Sequence, residues 1–178
     1  MPRDIREPLQ LICDTREQNC WAWQPHEAVV TFAGLSAGDY CLAEDSEKIK
    51  GRELRAVRFS LERKNLSDFA GTLSSGWDRF NAELLRMQAM IARIVLVEGN
   101  FEQCCFHMRE TPDQFGNMIA PPEHGHPCVE PAFLARRIAE LSLMQVNVLF
   151  CGNAQYAAAM ALHIFRRRKE MIDAERKA

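Results

Sequence analysis

Leu61-Glu62-Arg63-Lys64 sets a carboxylate and an ammonium two residues apart. On an extended strand residues i and i+2 point the same way, so Glu62 and Lys64 share one face, opposite Phe59 and Leu61. Carboxylate oxygen is a natural ligand for a hard divalent cation, and a nearby ammonium can contact a phosphate or orient a water. Asp39 lies upstream, directly after Gly38 and at the start of an expected strand, where it can supply a second acid. Two acids and a lysine around a divalent cation form a working set for phosphodiester hydrolysis, because the cation polarises the phosphoryl group and helps generate hydroxide. Spacing alone leaves a second reading open, an ordinary ion pair on an exposed strand face, and on spacing alone that is the simpler of the two. Glu-x-Lys recurs at Glu175-Arg176-Lys177, in a charged tail without apolar alternation, where a solvated helix end is expected.

The elements that would position these residues follow from the apolar pattern. Leu9 to Asp14 reads as a short buried strand ending in an acid, Val29 to Phe32 and Tyr40 to Ala43 as two more, with a turn over Gly34 to Gly38. Arg55 to Glu62 gives the clearest period-two alternation, Val57, Phe59 and Leu61 against Arg58, Ser60 and Glu62. The segment before it, Glu44 to Gly51, reads as a charged hairpin loop. Trp77 to Arg93 predicts one long amphipathic helix with Phe80, Leu84, Met87 and Ile91 inward. Ile94 to Val97 is an uninterrupted apolar strand, as expected when both faces are covered. Ala132 to Met144 predicts a helix, Val146 to Phe150 a strand, and Asn153 the cap of a helix running to about Arg168. The alternation of strands and helices predicts an α/β domain: a mixed central β-sheet flanked by helices.

Three blocks together resemble the nuclease domain of the XPF-type structure-specific endonucleases. They are Asp14-Thr15-Arg16-Glu17, then Gly38-Asp39-Tyr40, then Glu62-Arg63-Lys64-Asn65-Leu66-Ser67-Asp68, in the order of that family. The likeness continues through Arg79-Phe80 and Val95-Leu96-Val97-Glu98-Gly99, and more weakly to Val146 to Phe150 and the helix beyond. It spans Leu9 to Arg167. The resemblance implies a restriction-endonuclease-like core and cleavage of DNA dependent on Mg²⁺ or Mn²⁺, often at junctions between double and single strands. Carried over by position, it implies Asp39 and Glu62 as metal ligands, the Arg63 backbone carbonyl as a third, and Lys64 as the catalytic lysine. Asp14 and Glu17 match acidic positions lining the same site, as ligands directly or through water. Arg16, Arg63, Asp68 and Arg79 match positions that brace the site or touch DNA, a salt bridge being the plain alternative for the first three. Larger members carry a helix-hairpin-helix module after the nuclease domain, so a stand-alone version is expected here, with homodimerisation as one way to hold a junction. A catalytically silent DNA-binding or scaffolding partner, and a restriction-like enzyme reading a duplex sequence through the segment from Phe101 to Pro131, are the competing readings.

The rest of the chain bounds these expectations. Its 178 residues fit one domain, with a core over about 9–168, an irregular insertion over about 99–131 and a charged tail over 169–178. No apolar run approaches the roughly 18–20 residues that span a bilayer, and the N-terminus lacks the apolar stretch of a signal peptide, so a cytoplasmic protein without membrane contact is expected. Seven scattered cysteines then read as small buried residues rather than a disulfide framework. The formal net charge of −2 excludes a globally basic DNA coat, yet basic residues cluster at Lys48, Lys50, Arg52, Arg55, Arg58, Arg63 and Lys64 and again from Arg166 to Lys169. Local patches suffice for a phosphate backbone, although each is equally a solvated face or, for the second block, a helix C-terminal cap. Arg79, Arg86 and Arg93 form a helical stripe, Trp21, Trp23 and Trp77 are candidates for base stacking or core, and Cys104, Cys105, His107, His124, His126 and Cys128 cluster without matching a standard zinc spacing.

Overall fold

The sequence's alternating segments assemble into one mixed sheet. A computed structural model describes residues 7–48, 53–56, 58–106, 111–112, 118–119 and 129–177. Its strands are β1 Leu9–Asp14, β2 Ala28–Leu35, β3 Tyr40–Leu42, β4 Ser46–Lys48, β5 Glu53–Ala56, β6 Ser60–Lys64, β7 Arg93–Val97, β8 Thr111–Pro112, β9 Met118–Ile119 and β10 Val146–Phe150. Its helices are α1 Leu66–Leu73, α2 Trp77–Arg86, α3 Phe101–Phe106, α4 Pro131–Leu143 and α5 Ala154–Glu175. Eight strands join in the order β10-β7-β6-β3-β1-β2-β5-β4, while β8 and β9 pair separately. Pairing is parallel for β10 with β7, β7 with β6, β1 with β2 and β2 with β5, and antiparallel where β3 joins β6 to β1.

Each face of the sheet is covered by helices, which confirms the α/β expectation. Below it, Ala157, Ala161, Leu162, Phe165 and Ile172 of α5 pack on Leu11, Cys13, Tyr40, Leu42, Leu61 and Leu96. The small alanines let this helix lie close on the sheet. Above it, Phe69, Leu73, Phe80, Leu84, Leu134 and Leu141 from α1, α2 and α4 pack on Val95, Val97 and Val146. Helix starts follow the local chemistry: the Asn65 side chain accepts from Asp68 N–H, the Asn153 side chain accepts from Tyr156 N–H, and Pro131 opens α4. No helix among the described residues is long and apolar enough to cross a membrane.

Four expectations need correction. Arg55 to Glu62 is not one strand, since β5 pairs with β2 and β4 whereas β6 pairs with β3 and β7. The helix from Trp77 stops at Arg86: the Ile91 N–H donates to the Arg58 carbonyl and Arg93 is drawn into register with Ser60 and Val146. Ile91 is therefore 57% exposed, and the arginine stripe breaks because the Arg93 guanidinium donates to the Met144 carbonyl. The final helix runs on to Glu175, into the expected tail. The segment over 99–131 contains α3, and Cys104 and Cys105 are buried on it; the histidines and Cys128 of the candidate zinc cluster, with Lys50 and Arg52, lie outside the described residues.

The basic block at 166–169 is not one surface. Arg168 is buried and holds Asp45 bidentately at 2.7 and 2.9 Å, whereas Arg167 pairs with Glu170 and Lys169 with Asp173. Asp45 is fully buried, and removing the arginine strands its charge. Arg168→Met is expected to lower the unfolding free energy by about 3–5 kcal/mol, read from urea denaturation. Adding Asp45→Leu to that variant should recover part of the loss.

Candidate active site

Gly38 makes the site possible. It holds φ +74°, and a Cβ there would lie 2.4 Å from Ser60 Oγ and 3.2 Å from the Leu61 carbonyl oxygen. Only glycine takes this conformation without strain and lets the turn before β3 press against β6. Asp39 follows, fixed by its N–H donating to the Leu61 carbonyl at 2.8 Å and its carbonyl accepting from Asp14 N–H at 2.8 Å. Its Oδ2 accepts the Arg63 N–H at 2.7 Å, replacing the strand partner that β3 no longer provides.

Strand alternation then sorts β6. Leu61 enters the α5 core, while Ser60, Glu62 and Lys64 face the other way, towards α1 and α2. Glu62 is 2% exposed. Its Oε1 accepts from Lys64 Nζ at 2.5 Å, and its Oε2 is buried with no hydrogen-bond partner among the described residues. Lys64 Nζ also lies 5.7 Å from the centre of the Phe80 ring. Burial, reinforced by the neighbouring Asp39 charge, pushes the Glu62 carboxyl up to about 8 against the pull of Lys64. Burial likewise raises Asp39 to about 6, opposed by Lys64 and by the Arg63 N–H. Burial works against the Lys64 charge, yet Glu62 and Asp39 outweigh it and hold the ammonium above its usual range. Asp39, Glu62 and Lys64, read from the sequence as a set, thus occupy one electrostatically linked site.

The flanking residues divide into braces and groove. Both Asp14 oxygens are engaged, by Arg16 N, Nε and Nη2 and by Leu35 N–H at 2.6–2.8 Å. These donors overcome burial and keep the carboxyl below its ordinary value. Arg63 turns to the opposite side of β6 from Glu62, donating to Glu98 at 2.7 and 2.9 Å and to Glu17 at 2.7 Å. Glu98 also accepts from Trp21 Nε1 at 2.6 Å. The Arg63 side chain and Glu17 are thereby tied into a half-buried brace, and Asp68 is tied to the Asn65 cap at 2.7 Å. Arg16 and Arg79 are exposed and line an open groove of about 810 Å³ together with Lys64, Ser67, Asp68, Ser75 and Gly76. Trp21 is buried against Tyr40, while Trp77 lies 4.1 Å under the Arg137 guanidinium. Two participants escape a reading of the sequence alone. Glu98 is visible there only at the end of an apolar block, and Glu83 of α2 bears electrostatically on Asp39, Glu62 and Lys64.

The donor set fits a hard divalent cation. An unmet, buried carboxylate oxygen beside a second acid is what such an ion satisfies. Among the described residues no three Asp, Glu, His or Cys side chains stand close enough to hold a metal by themselves.

A mixed sheet covered on both faces, with an acid, a Glu and a Lys meeting at β6, defines the restriction-endonuclease-like nuclease fold. Residues 13–164 match the ERCC4 domain family, and the chain belongs to that family. The fold is similar to that of XPF from Aeropyrum pernix, with TM-score 0.58 and 19% identity over 94% of this chain and 69% of that one. No curated protein sequence gives a significant match.

A carboxyl whose folded pKa is raised binds more protons folded than unfolded, so stability falls as pH rises from its unfolded value through its folded one. For Glu62 that window runs from the ordinary carboxyl range to about 8. In metal-free protein, Glu62→Gln is expected to melt above wild type at pH 8, with the difference shrinking towards pH 5. Differential scanning calorimetry in chelator measures it.

Proposed function

We propose that the chain is a divalent-metal-dependent DNA endonuclease acting on branched or flapped DNA. The observation that carries this reading is the buried Glu62 Oε2, without a hydrogen-bond partner among the described residues, next to Asp39 and Lys64, in a chain of the ERCC4 family. Asp39 and Glu62 would hold Mg²⁺ or Mn²⁺. The Arg63 carbonyl would join them, because the N–H and C=O of a strand residue leave by the same edge and the Arg63 N–H points at Asp39. When bound, the cation supplies Lewis-acid charge and lowers the pKa of coordinated water.

The chain's own residues do the rest. Lys64 is kept charged between two acids, where its ammonium can hold the attacking water or a phosphate oxygen and offset charge in the transition state. Arg16 stays pinned by Asp14 and the Leu35 carbonyl while its side chain remains 70% exposed, so it presents positive charge to the groove at little entropic cost. Arg79 adds a second cation along the same groove. A phosphate backbone running past Lys64 would meet both. The Arg63–Glu98–Glu17 brace positions β6 without touching substrate. A homodimer would extend the surface available to a junction.

Cleavage of flap, splayed-arm, four-way-junction and duplex DNA with Mg²⁺ or Mn²⁺ tests this reading. Wild type is expected to cut branched substrates in preference to duplex. Lys64→Ala and Asp39→Ala should retain the fold by circular dichroism and lose at least about 100-fold in rate. Cleavage persisting in both variants would place the activity elsewhere. A wild type that binds these substrates and cuts none would favour the silent DNA-binding partner.

A further inference from the structure

Neither the brace nor the groove accounts for Glu83 of α2, yet this acid faces the site. The helical repeat of α2 buries Phe80 and Leu84, and side chains three and four residues apart share a face. Glu83 therefore stands one turn from both Arg79, which lines the groove with Lys64, and Phe80, whose ring centre is 5.7 Å from Lys64 Nζ. It is half-buried. Its charge acts on Asp39 from the turn before β3, on Glu62 and Lys64 of β6, and on Arg16 from the loop after β1.

A structural explanation would make Glu83 a counterion. Of the cations on which its charge acts, each already has one: Arg16 is held by Asp14 at 2.8 Å and Lys64 by Glu62 at 2.5 Å. Glu83 instead adds a third acid beside Asp39 and Glu62, and its charge works against ionisation of both. The unmet Glu62 Oε2 in the same site independently points to a missing positive partner. Among the described residues no three acids are close enough to bind an ion directly, and a third acid can still act through the ion's hydration water.

We propose that Glu83 is a third acid of the cation site, accepting hydrogen bonds from the hydration water of a divalent ion that Asp39 and Glu62 bind. It is a positioning residue, and this inference rests on the proposed metal-dependent site. An acceptor there would orient retained waters from the α2 side, which borders the groove lined by Arg79 and Lys64. Outer-shell partners of this kind typically change metal affinity by about 10–100-fold when removed.

The test needs no turnover. Metal-free wild type and variants are titrated with Mn²⁺ in the absence of DNA, following heat by calorimetry and free hydrated Mn²⁺ by electron paramagnetic resonance. Glu83→Gln and Glu83→Ala are expected to weaken Mn²⁺ binding about tenfold or more, with Glu83→Asp intermediate and the melting temperature of metal-free Glu83→Gln no lower than wild type. Asp78→Asn, an exposed acid on the same helix, should change affinity by no more than about twofold, since salt screens it. Asp39→Asn should abolish binding. If Glu83→Gln binds Mn²⁺ like wild type while Asp39→Asn does not, the role given to Glu83 is wrong and the metal site stands. That role is equally refuted if Asp78→Asn weakens binding as much, or if Glu83→Gln merely destabilises the metal-free fold. If wild type binds no Mn²⁺, the metal site and the role of Glu83 fall together.

Discussion

A carboxylate oxygen sealed in protein, with no donor among the described residues, is the constraint around which this molecule is arranged. An unmet buried acceptor costs on the order of 1–3 kcal/mol, and more when charged. Glu62 Oε2 is in that position, with Asp39 adding repulsion and Lys64 donating to the carboxylate's other oxygen. A sequence under selection for stability alone would place an apolar residue at this inward-facing position of β6, as β7 does with Val95 and Val97 on the same sheet face. Retaining an acid, a second acid and an ammonium there is the stability–function conflict expected of a catalytic centre.

The neighbouring structure keeps that conflict from spreading. Strand β6 carries two sets of residues with different tasks. Leu61 anchors it in the α5 core, and Arg63 locks its far end through Glu98 and Glu17, with Trp21 sharing Glu98. Glu62 between these anchors and Lys64 next to the second are held by the strand itself, and their alignment does not depend on a flexible loop. Gly38 completes the arrangement by letting Asp39 come close enough for its N–H to donate to the Leu61 carbonyl and its carboxylate to accept the Arg63 N–H. The paired charges that look catalytic in the sequence therefore fall into two classes. Those with every polar atom engaged, such as Asp14 and the Arg63 side chain, give stiffness. Those with unmet capacity, Glu62 above all, are the ones on which the proposed chemistry rests.

Much of this is legible in the residues. The apolar runs at Leu9 to Asp14, Ile94 to Val97 and Val146 to Phe150 form strands of the central sheet, where composition and location agree. Glu62 and Lys64 are legible as a same-face pair because period-two geometry is rigid, and Gly38-Asp39 because a glycine before an acid marks a turn. What stays hidden depends on long-range competition. The amphipathic pattern of α2 continues past Arg86, but the pull of Arg58 and of two strands on Ile91 and Arg93 overrides it. The alternation from Arg55 to Glu62 is continuous in sequence, yet its two halves serve different neighbours. Glu83 cannot be recognised from sequence because its partners come from three separate segments. Glu98 looks like the end of an apolar strand until the fold puts Arg63 and Trp21 beside it.

Mn²⁺-soaked crystals, with anomalous difference maps collected at the manganese edge, test the central claim most directly. The predicted result is a peak bonded to Glu62 and Asp39, with Glu62 Oε2 about 2.1 Å from the ion. Clean density for the protein with no peak there, or a manganese ion bound only at some other acidic cluster, would contradict it.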